Sequence, residues 1–596
     1  MSRPRTRRAI AAASGLALAG AIATAAGTPA VAAVDQRIAV DSTADAVDAD
    51  PGDGTCADSS GACTLRAAVQ EAGATGGSAH ITVPAGQYTF TLANADGDEE
   101  ASATGDLDID SDIRITGFGA TIDTDWLDRA FDVSAEGSLV LSGVSIVNGY
   151  APGGEDPIVG SGGAIANAGS TTVQIVSFVG NRAEGPAASG GAILNTGDLT
   201  VRFSSFDGNR ATRAGGAIEA NGGTTTIVRS SFTQNTTGPE PGNGGAFHLS
   251  GDGEVAVTGS TFDGNTATAE GGALWNSADG TMDISGSDVS GNVASGVEAD
   301  QGGGGVFNDG GTMTISGSTI FGNVADGEAG SGGGVLNNAG TVEITATDIV
   351  GNSSNRAGGG IEANLGSTDL DLVRLEANTT GAAPGNGGGF HITGEGDSEI
   401  RASVIVANTA AAEGGGLWNG AGTMTVVDSH ISQNTASGAE ADQGGGGLFN
   451  AGGTLVVENS TIGGNVADGE AGSGGGVLND QGTLEVSDTF FTGNTSNRAG
   501  GAIEANVGTS ELTGVRMFRN STGDAPGNGG GLHITGAGEV TVTDGMVAFN
   551  TAAKEGGGLW NSDTGTMTVS GTTVLRNTAP AGPNVFTVPG GTTSVS

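Results

Sequence analysis

The chain contains few of the residues that stabilise small domains or anchor proteins in membranes. Of its 596 residues only 2 are cysteine and 14 are proline, aromatic residues make up 4%, and 21 basic residues stand against 66 acidic ones. The low proline content excludes a proline-rich linker protein. A formal charge of −45 makes nucleic acids and anionic lipid surfaces unsuitable partners. Beyond the N-terminus no apolar run approaches the ~20 residues that span a bilayer, so the sequence predicts no transmembrane segment.

Residues 1–33 have the pattern of a secretory signal peptide. An apolar, alanine-rich stretch follows a basic start that consists of Arg3, Arg5, Arg7 and Arg8. Small residues then mark a cleavage site after Ala32 or Ala33. The sequence therefore predicts an exported protein that is extracellular or is held at the cell surface.

The two cysteines, Cys56 and Cys63, lie in the segment GDGTCADSSGACTLRAAVQEA. In an exported protein a separation of seven residues favours a local disulfide. A metal site is the alternative, but it needs further ligands and His80 is the only histidine in the vicinity. We interpret the segment as a disulfide-closed structural cap.

A short helix is predicted directly after the second cysteine. Thr64 is a suitable N-cap, and the run TLRAAVQEAG places Leu65, Ala68 and Val69 on one face. Gly73 is the predicted helix end. This helix completes the predicted N-terminal cap.

From residue 162 onward one motif recurs: two or more glycines, a small residue, an apolar residue and, usually two residues later, asparagine. The mean period is about 28 residues, and the apolar position is occupied by Ile165, Ile193, Ile218, Phe247, Leu274, Val306, Val335, Ile361, Phe390, Leu417, Leu448, Val477, Ile503, Leu532 and Leu559. A second column in fixed register consists of Asn181, Asn209, Asn235, Asn265, Asn292, Asn323, Asn352, Asn378, Asn408, Asn434, Asn465, Asn494, Asn520, Asn550 and Asn577. Two columns in register indicate one structural unit per period.

Each unit consists of short alternating runs rich in Thr, Val and Ile, which is the pattern of half-buried strands, and Gly and Asn mark the corners. A single unit of this size cannot bury its apolar face, whereas units stacked ~4.8 Å apart can, giving a rod of roughly 70 Å. The sequence therefore predicts an all-β fold, a right-handed parallel β-helix of about 15 or more coils. We expect three short strands per coil.

A longer repeat overlies the first one. Five coil types, which contain RAGGAIEAN, NGGAFHLSG, EGGALWN, QGGGGVFN and GSGGGVLN, recur in the same order after about 142 residues. We call this five-coil unit the cassette. The predicted organisation is a signal peptide at 1–33, a cap with the first coils at 34–160, β-helix repeats at 161–580 and a C-terminal tail at 581–596.

Two parts of the sequence resemble known families. CTLRAAVQEA, preceded by GDGTC and followed by ITVPAGQYTFTL, resembles the CSLREA-type N-terminal region of bacterial secreted proteins. The GGAIxN and FxGN repeats resemble those of polymorphic outer membrane proteins and of other right-handed β-helix proteins of the pectin-lyase-like class. The resemblance implies the β-helix fold and a secreted or surface-attached protein, and it is weak for any activity.

The residue after each apolar position is predicted to point outward. This outward position reads Glu, His, Trp, Phe and Leu through successive coils of a cassette. We call it the Glu–His–Trp column; its members are Glu219, His248, Trp275, Phe307, Leu336, Glu362, His391, Trp418, Phe449, Leu478, Glu504, His533 and Trp560. An exposed column would stack sugar rings or a protein partner on its aromatic rings, with Glu and His as polar contacts. The alternatives are that loops cover these side chains or that duplication simply copied them.

Two sets of residues are candidates for catalysis. Glu219 and His248, on adjacent coils, are predicted to lie within ~5 Å, which allows proton transfer through water. The pair recurs in each cassette and the single lysine, Lys554, lies elsewhere, which argues against a lyase mechanism at these pairs. Alternation in GDLDIDSD places three carboxylates on one face, as glycoside hydrolysis would need: Asp106, Asp108 and Asp110. The alternative is that they are solvated turn and strand carboxylates.

The acidic loops between coils are candidates for calcium binding. They reappear almost unchanged in the next cassette although the strand between them differs. The candidate oxygen ligands are Glu298, Asp300, Asp326 and Glu328, with Glu440, Asp442, Asp468 and Glu470 as the second set. Neither the EF-hand spacing nor the GGxGxDxUx spacing is present, and a solvated acidic face is the alternative.

These patterns favour an extracellular or cell-surface protein that acts as an adhesin-like binding or structural module, with a polysaccharide or a surface protein as the partner. The alternative is a polysaccharide-active enzyme, a lyase or glycoside hydrolase. An enzyme would have one non-repeated cluster of carboxylates or Arg, whereas duplication of cassettes multiplies a binding surface. We therefore expect binding rather than catalysis, and no cofactor other than calcium.

Overall fold

The structure, a computed structural model, describes residues 36–94, 101–153, 160–239 and 241–596. The predicted signal peptide lies outside these residues. The described chain is a parallel β-solenoid of about 16 turns and is 2% helical. The strand pairings are parallel from the first described strand to the last. The predicted all-β solenoid is therefore confirmed.

The helix runs over Leu65–Thr75, and the side chain of Thr64 accepts a hydrogen bond from the Ala67 N–H, as expected for an N-cap. The prediction that it ends at Gly73 is wrong by one short turn. Gly76 ends the helix with a positive φ of 61°. Gly73 lies inside the helix, where a Cβ atom would come within 3.3 Å of the Asp110 carboxylate. A close approach, rather than a turn, accounts for this glycine.

The predicted disulfide joins Cys56 and Cys63. Beside it, the helix contributes two buried charged side chains to the cap. Arg66 forms an ion pair with Asp45 at 2.6 Å and donates to the carbonyls of Ser102, Gly105 and Asp106. Glu71 accepts hydrogen bonds from the backbone N–H groups of Gly52 and Gly54. The cap is therefore stabilised by buried ionic contacts as well as by apolar packing.

Each full coil contains a first strand, which follows the double glycine, then a second, a third and a fourth strand. The first strands form one sheet of Leu107–Ile109, Phe131–Val133, Ile165–Asn167, Ile193–Asn195, Ile218–Asn221, Phe247–Ser250, Leu274–Asn276, Val306–Asp309, Val335–Asn338, Ile361–Asn364, Phe390–Thr393, Leu417–Asn419, Leu448–Ala451, Val477–Asp480, Ile503–Asn506, Leu532–Thr535, Leu559–Asn561 and Val585–Thr587. The fourth strands form a sheet of Tyr150–Pro152, Arg182–Glu184, Arg210–Ala211, Thr236–Thr237, Thr266–Ala267, Val293–Ala294, Val324–Ala325, Ser353–Ser354, Thr379–Thr380, Thr409–Ala410, Thr435–Ala436, Val466–Ala467, Thr495–Ser496 and Ser521–Thr522.

The second and third strands share the largest sheet. It begins with Gln36–Ala39, Ser78–Val83, Gly86–Thr89, Asp112–Asp123 and Ser138–Val147. It continues with the pairs Ser170–Gln174 and Ser177–Val179, Asp198–Arg202 and Ser205–Asp207, Thr224–Val228 and Ser231–Thr233, Glu254–Thr258 and Thr261–Asp263, Thr281–Ser285 and Asp288–Ser290, Thr312–Ser316 and Thr319–Phe321, Thr341–Thr345 and Asp348–Val350, Ser367–Asp371 and Arg374–Glu376, Ser398–Arg401 and Val404–Val406, Thr423–Val427 and His430–Ser432, Thr454–Glu458 and Thr461–Gly463, Thr483–Ser487 and Phe490–Thr492, Thr509–Thr513 and Arg516–Phe518, Glu539–Thr543 and Met546–Ala548, Thr566–Ser570 and Thr573–Leu575, and it ends with Thr592–Val595.

Most coils therefore have four short strands in three sheets, whereas the sequence predicted three strands. The difference arises at the corner between the second and third strands. There one residue has a positive φ, as at Ile175 and Leu372, and divides a single alternating run into two strands. In the first coils the run is continuous, as in Ser138–Val147.

The asparagine column forms a buried ladder. In each step the side-chain oxygen of one Asn accepts from the backbone N–H and the Nδ2 of the Asn one coil earlier, for example at 3.0 and 2.9 Å between Asn181 and Asn209. The last step joins Asn577 to Asn584. Each buried hydrogen bond contributes about 1 kcal/mol net to stability. Because each asparagine bonds to the matching asparagine of the next coil, the ladder also fixes the register of successive coils. Inside the coils, Phe178, Phe206, Phe232 and Phe262 stack with ring centroids 4.6–4.7 Å apart.

The solenoid extends further in both directions than the predicted repeat region. Gln36–Ala39 pairs with Ser78–Val83 inside the predicted cap. Val585–Thr587 and Thr592–Val595 pair with the preceding coil, so residues predicted as a tail form the last coil. The sequence pattern missed this coil because only Gly582, with a positive φ of 54°, stands where the other coils have two glycines.

Candidate functional site

The structure stacks the Glu–His–Trp column in the predicted register. Glu219 pairs with His248, His248 with Trp275, and Trp275 with Phe307 across adjacent first strands. The column continues at both ends. Phe586 follows Trp560, and Asp108, Asp132, Ala166 and Leu194 precede Glu219. Sequence reasoning missed Phe586 because its coil lacks the double glycine, although VFT matches the pattern of a first strand.

The expectation that this column is exposed is wrong for all its members except Trp418 and Trp560, which are half-buried. Glu219 is 2% exposed, His248 3%, Trp275 8% and Phe307 1%. The glycine loop that precedes each first strand folds over the column. A Cβ atom on Gly244 would lie 2.8 Å from the His248 Cβ, and one on Gly271 would lie 3.1 Å from the Trp275 Cβ. The alternative interpretation, in which loops cover the side chains, therefore describes the structure.

In the first copy the buried side chains form a continuous set of contacts. The Glu219 carboxylate lies 2.9 Å from His248 Nδ1 and accepts a hydrogen bond of 2.6 Å from the Ser250 hydroxyl. The His248 ring stacks on Trp275 at a centroid distance of 4.3 Å. Trp275 Nε1 in turn donates to the Glu270 carboxylate at 3.0 Å. The Glu219 carboxylate, His248 Nδ1, the Ser250 hydroxyl and Trp275 Nε1 thus each have a partner, as groups in a buried polar network require.

The two later copies reproduce this arrangement. Nδ1 lies 2.8 Å from the carboxylate in both Glu362–His391 and Glu504–His533. The rings of His391 and Trp418, and of His533 and Trp560, stack at 4.1 Å. An arginine from the covering loop lies 4.0, 3.6 and 3.8 Å from the three glutamates, respectively Arg213, Arg356 and Arg498. Duplication has therefore preserved the geometry of the column.

Two of the carboxylates that accept hydrogen bonds from the tryptophans, Glu270 and Glu413, have raised pKa values. Burial raises the pKa of Glu270 to about 7, and the charges of Asp309 and Asp300 act in the same direction, while the Trp275 hydrogen bond opposes them. Burial also raises the pKa of Glu413, against the hydrogen bond from Trp418. These carboxyls change protonation closer to neutral pH than exposed glutamates do.

Of the predicted catalytic groups, the Glu–His pairs lie together, whereas the three aspartates do not share one accessible face. The Glu–His pairs do lie together, but both partners are buried, so a polymeric substrate does not reach them. Asp106 is buried, and burial raises its pKa well above the usual range, opposed by Arg129 and reinforced by neighbouring aspartates. Asp108 and Asp110 border a cleft of about 270 Å³ beside the helix. Asp106 is thus separated by burial from Asp110, which is exposed.

The predicted calcium ligands are exposed loop carboxylates. Asp326 and Asp468 accept hydrogen bonds from Ser295 and Ser437, at 2.7 and 2.8 Å. Within the described ranges, no three His, Cys, Asp or Glu side chains are grouped so that they could hold a metal ion. The structure therefore does not bring the eight predicted ligands together as calcium sites.

A surface groove that sequence reasoning missed lies across the first repeated coils. We call it the N-terminal groove; it has a volume of about 720 Å³ and runs over the corner between the second and third strands. Ile175, Phe203 and Arg229 occupy this corner in successive coils, and the guanidinium of Arg229 lies 5.9 Å from the Phe203 ring centroid. Ile175 is 61% exposed and Phe203 48%. The available signal was a bulky residue at a corner where later coils have Gly259, Gly286 and Gly317.

The comparisons with known proteins concern the repeat. Residues 259–277 match the family model of the Chlamydia polymorphic membrane protein repeat, a segment that includes the ladder residue Asn265 and the column residue Trp275. No curated protein matches the chain. A PL6 family alginate lyase, AlyGC, aligns over 87% of this chain and 96% of its own at 10% identity, with a TM-score of 0.19. That score is too low to support an argument about fold or activity.

In the described part of the chain, no helix has the length and apolar character to cross a membrane. The match to a polymorphic membrane protein repeat is compatible with a location at the cell surface. The chain thus contains a β-helix repeat similar to that of polymorphic membrane proteins.

Proposed function

We propose that the protein is an exported, adhesin-like binding module of the cell surface or extracellular space, and that it binds carbohydrate in the N-terminal groove. The observation that carries the proposal is the combination of exposed apolar side chains and a regular row of hydroxyl groups in one groove. The predicted signal peptide and the resemblance of the cap to CSLREA-type secreted proteins support export. The repeat match supports a surface protein.

The row of hydroxyls lies at the start of the third strands. Ser145, Ser177, Ser205, Ser231 and Thr261 pair in register across five coils, and all line the groove. Successive hydroxyls therefore repeat at the spacing of neighbouring strands, ~4.8 Å. Hydroxyls donate and accept hydrogen bonds, which matches the hydroxyl groups of a sugar chain. Phe203 offers an apolar ring beside them. The groove can therefore hydrogen-bond to the hydroxyl groups of a pyranose and stack against its apolar C–H face.

Backbone strain sets the same residues apart. Ile175, Phe203 and Arg229 have φ values of 57°, 49° and 48°, in the left-handed region that disfavours large and especially β-branched side chains. Each costs roughly 1 kcal/mol or more relative to glycine. Other coils have glycine at this corner and keep the same fold. The fold therefore does not require Ile175, Phe203 and Arg229, and their presence together supports a role in binding.

The groove is suited to binding rather than to acid–base chemistry. Its lining residues include no Asp, Glu, His or Lys, and Arg229 is their only charged side chain. General acid–base catalysis needs a titratable group within hydrogen-bonding reach of the substrate. The groove therefore supports a carbohydrate-binding module better than a lyase or hydrolase.

The test is binding of the exported chain to a panel of neutral and acidic polysaccharides. Phe203→Gly removes the ring and also relieves the corner, so we expect at least tenfold weaker binding together with equal or higher thermal stability. Leu372→Gly is the matched control, because Leu372 is exposed at the same corner with a φ of 57° but lies outside the groove. Unchanged binding by Phe203→Gly, or equal loss in both variants, would contradict the proposal.

One observation favours a second candidate function, a polysaccharide-active enzyme. Asp106, Asp108, Asp132 and Arg129 form a cluster that occurs once, with Arg129 at 3.5 Å from Asp106 and 2.6 Å from Asp132. Asp108 and Asp110 border the cleft beside the helix, so this region brings two carboxylates to a surface that a substrate can reach, as glycoside hydrolysis needs. Release of reducing ends or unsaturated products from the same polysaccharides, abolished by Asp108→Asn, would establish this function instead.

A further inference from the structure

A second surface, distinct from the N-terminal groove, lies on the third strands of the last coils. We call it the C-terminal patch: Phe490, Arg516, Phe518, Arg519, Met546, Phe549 and Arg576. Ring centroids are 5.5 Å apart for Phe490 and Phe518 and 6.5 Å apart for Phe518 and Phe549. The Arg576 guanidinium lies 5.6 Å from the Phe549 centroid. The patch surrounds a groove of about 720 Å³.

The patch occurs once, across the end of the second cassette and the start of the third copy. The positions one cassette earlier hold Asp348 for Phe490, Glu376 for Phe518, and Ala407 for Phe549. Arg519 and Arg576 likewise replace Ala377 and Gln433. The buried column and the asparagine ladder were copied with little change, whereas these exposed positions became aromatic or basic. A difference limited to one exposed face indicates a local role.

Backbone conformation supports that conclusion independently. The residue before each ladder asparagine has a positive φ, and in earlier coils it is Gly, Ala or Gln, as at Gly351, Ala377 and Gln433. In the last three coils it is Arg519, Phe549 and Arg576, with φ of 55°, 61° and 56°. Three consecutive large side chains are thus held in a conformation that disfavours them, which is typical of functional positions.

The chemistry of the patch is that of a protein–protein contact. Phe, Met and Arg are the residue types enriched in the centre of such interfaces, whereas Ser is depleted. Among the residues that line this groove, Thr492 is the only one with a hydroxyl group, so the patch lacks the hydroxyl row of the N-terminal groove. Met546 and Phe549 are exposed and Phe490 and Phe518 are half-buried, and a contiguous accessible apolar surface also marks an interaction site.

The charges of the patch identify the partner. Two copies of a chain with a formal charge of −45 repel each other over most of their surface. In this groove Asp488 and Asp544 are balanced by Arg516 and Arg519 around an apolar centre. Asp488 and Asp544 lie before their third strands and Arg519 lies directly after its own, so a two-fold axis through the apolar centre sets the acidic side of one copy against Arg519 of the other. We propose that the C-terminal patch binds the same patch of a second copy, forming a two-fold symmetric dimer.

In this dimer the aspartates of each copy face the arginines of the other, while the phenylalanines and Met546 pack between them. Long-range repulsion between the acidic chains is screened by salt, with a Debye length of about 8 Å at physiological ionic strength, whereas burial of the rings is not. We therefore expect dimerisation to strengthen as salt is raised from low to physiological concentration.

The experiment is sedimentation velocity of the exported chain over a concentration series at two salt concentrations. We expect a reversible monomer–dimer equilibrium. The variant Phe490→Asp, Phe518→Glu, Phe549→Ala places the residues of the preceding cassette in the patch, so it folds with residues that the same coil types already accept. It is expected to weaken dimerisation at least a hundredfold without loss of thermal stability. Gln234→Gly, at the equivalent corner of another coil, is the matched control.

A charge exchange distinguishes the symmetric contact from other contacts. One variant carries Arg516→Asp and Arg519→Asp, and the other carries Asp488→Arg and Asp544→Arg. Each alone is expected to be monomeric, and an equimolar mixture is expected to form a heterodimer. A wild-type chain that stays monomeric at all concentrations and both salts, or a dimer that persists in the Phe490→Asp, Phe518→Glu, Phe549→Ala variant, would overturn the proposal. Carbohydrate binding in the N-terminal groove is unaffected by these variants, so the two proposals fail separately.

Discussion

The Glu–His–Trp column has stayed the same in the duplicated cassettes, whereas the exposed corners differ from copy to copy. In the column, three copies of Glu, His and Trp keep the same contacts within a few tenths of an ångström. At the corners, the same duplication left glycine in many coils but Ile175, Phe203, Phe549 and Arg576 in a few. A position whose side chain is enclosed by its own coils is constrained in every copy. An exposed corner is constrained mainly by its left-handed backbone, so a bulky residue there is not required by the fold, and only neighbouring contacts, as around Phe203 and Phe549, indicate a role.

The largest expected effect comes from breaking the column. Glu362→Ala removes the buried carboxylate that meets His391, Arg356 and the Thr393 hydroxyl, and so takes away the charged partner of His391 in a buried site. Breaking a buried pair from one side costs about 3–5 kcal/mol. We expect a clear fall in the denaturation midpoint, together with faster hydrogen exchange of the first strands near Ile361 and Phe390.

The matched control for this prediction is Glu376→Ala, which removes an exposed ion pair with Arg374 of the same coil. Exposed pairs contribute about 0–1 kcal/mol, so its midpoint is expected to change little. Equal effects of the two variants would contradict the distinction between enclosed and exposed positions.

A smaller effect concerns pH. Glu270 has a pKa of about 7 in the folded protein against an ordinary value of 4.5. Because the folded state binds this proton more tightly than the unfolded state, its contribution to stability is fully present below about pH 4.5 and is lost as pH rises through 7. The loss amounts to about 3 kcal/mol at most.

Thermal unfolding of wild type and Glu270→Gln between pH 4 and 8 measures this contribution. The glutamine keeps an acceptor for Trp275 and has no proton to lose, so its stability is expected to vary less over this range. Glu254→Gln, at an exposed position, should leave the pH dependence of the wild type unchanged. Parallel curves for wild type and Glu270→Gln would show that the buried carboxyl does not contribute.

The smallest expected effect on stability comes from a substitution at an exposed corner. Leu372→Gly replaces a bulky residue at a left-handed corner outside both proposed surfaces. Relief of strain is partly offset by the greater conformational entropy of glycine in the unfolded chain, so stability is expected to rise by less than about 1 kcal/mol. Neither carbohydrate binding nor dimerisation should change. A change in either would mean that bulky corners act through the backbone rather than through contact.

The fold was predictable because its determinants are periodic. The double glycine, the apolar position and the ladder asparagine recur in register, so the parallel solenoid and the pairing of Glu219 with His248 follow from spacing alone. The disulfide followed from the separation of the two cysteines. The last coil was missed because the residues before Val585 depart from the repeat.

Exposure was not predictable from the same pattern. Alternation shows that Trp275 points away from the core, but it does not show that the loop containing Gly271 returns over it. The groove and the patch were missed for a related reason. Their residues belong to no recurring motif, and their significance lies in a backbone angle, as at Ile175 and Phe549, that a sequence does not display.

The asparagine ladder makes the coil, rather than the residue, the unit by which this protein changes length. Each ladder residue requires only another asparagine one coil away, at the distances found between Asn352 and Asn378. Deletion of residues 356–497 would bring Asn352 next to Asn520, whose coil begins with nearly the same sequence as the coil of Asn378. A chain shortened by one cassette therefore keeps the ladder contact between the coils at the new junction. Loss or gain of a cassette can thus change the length of the solenoid while its core packing stays the same.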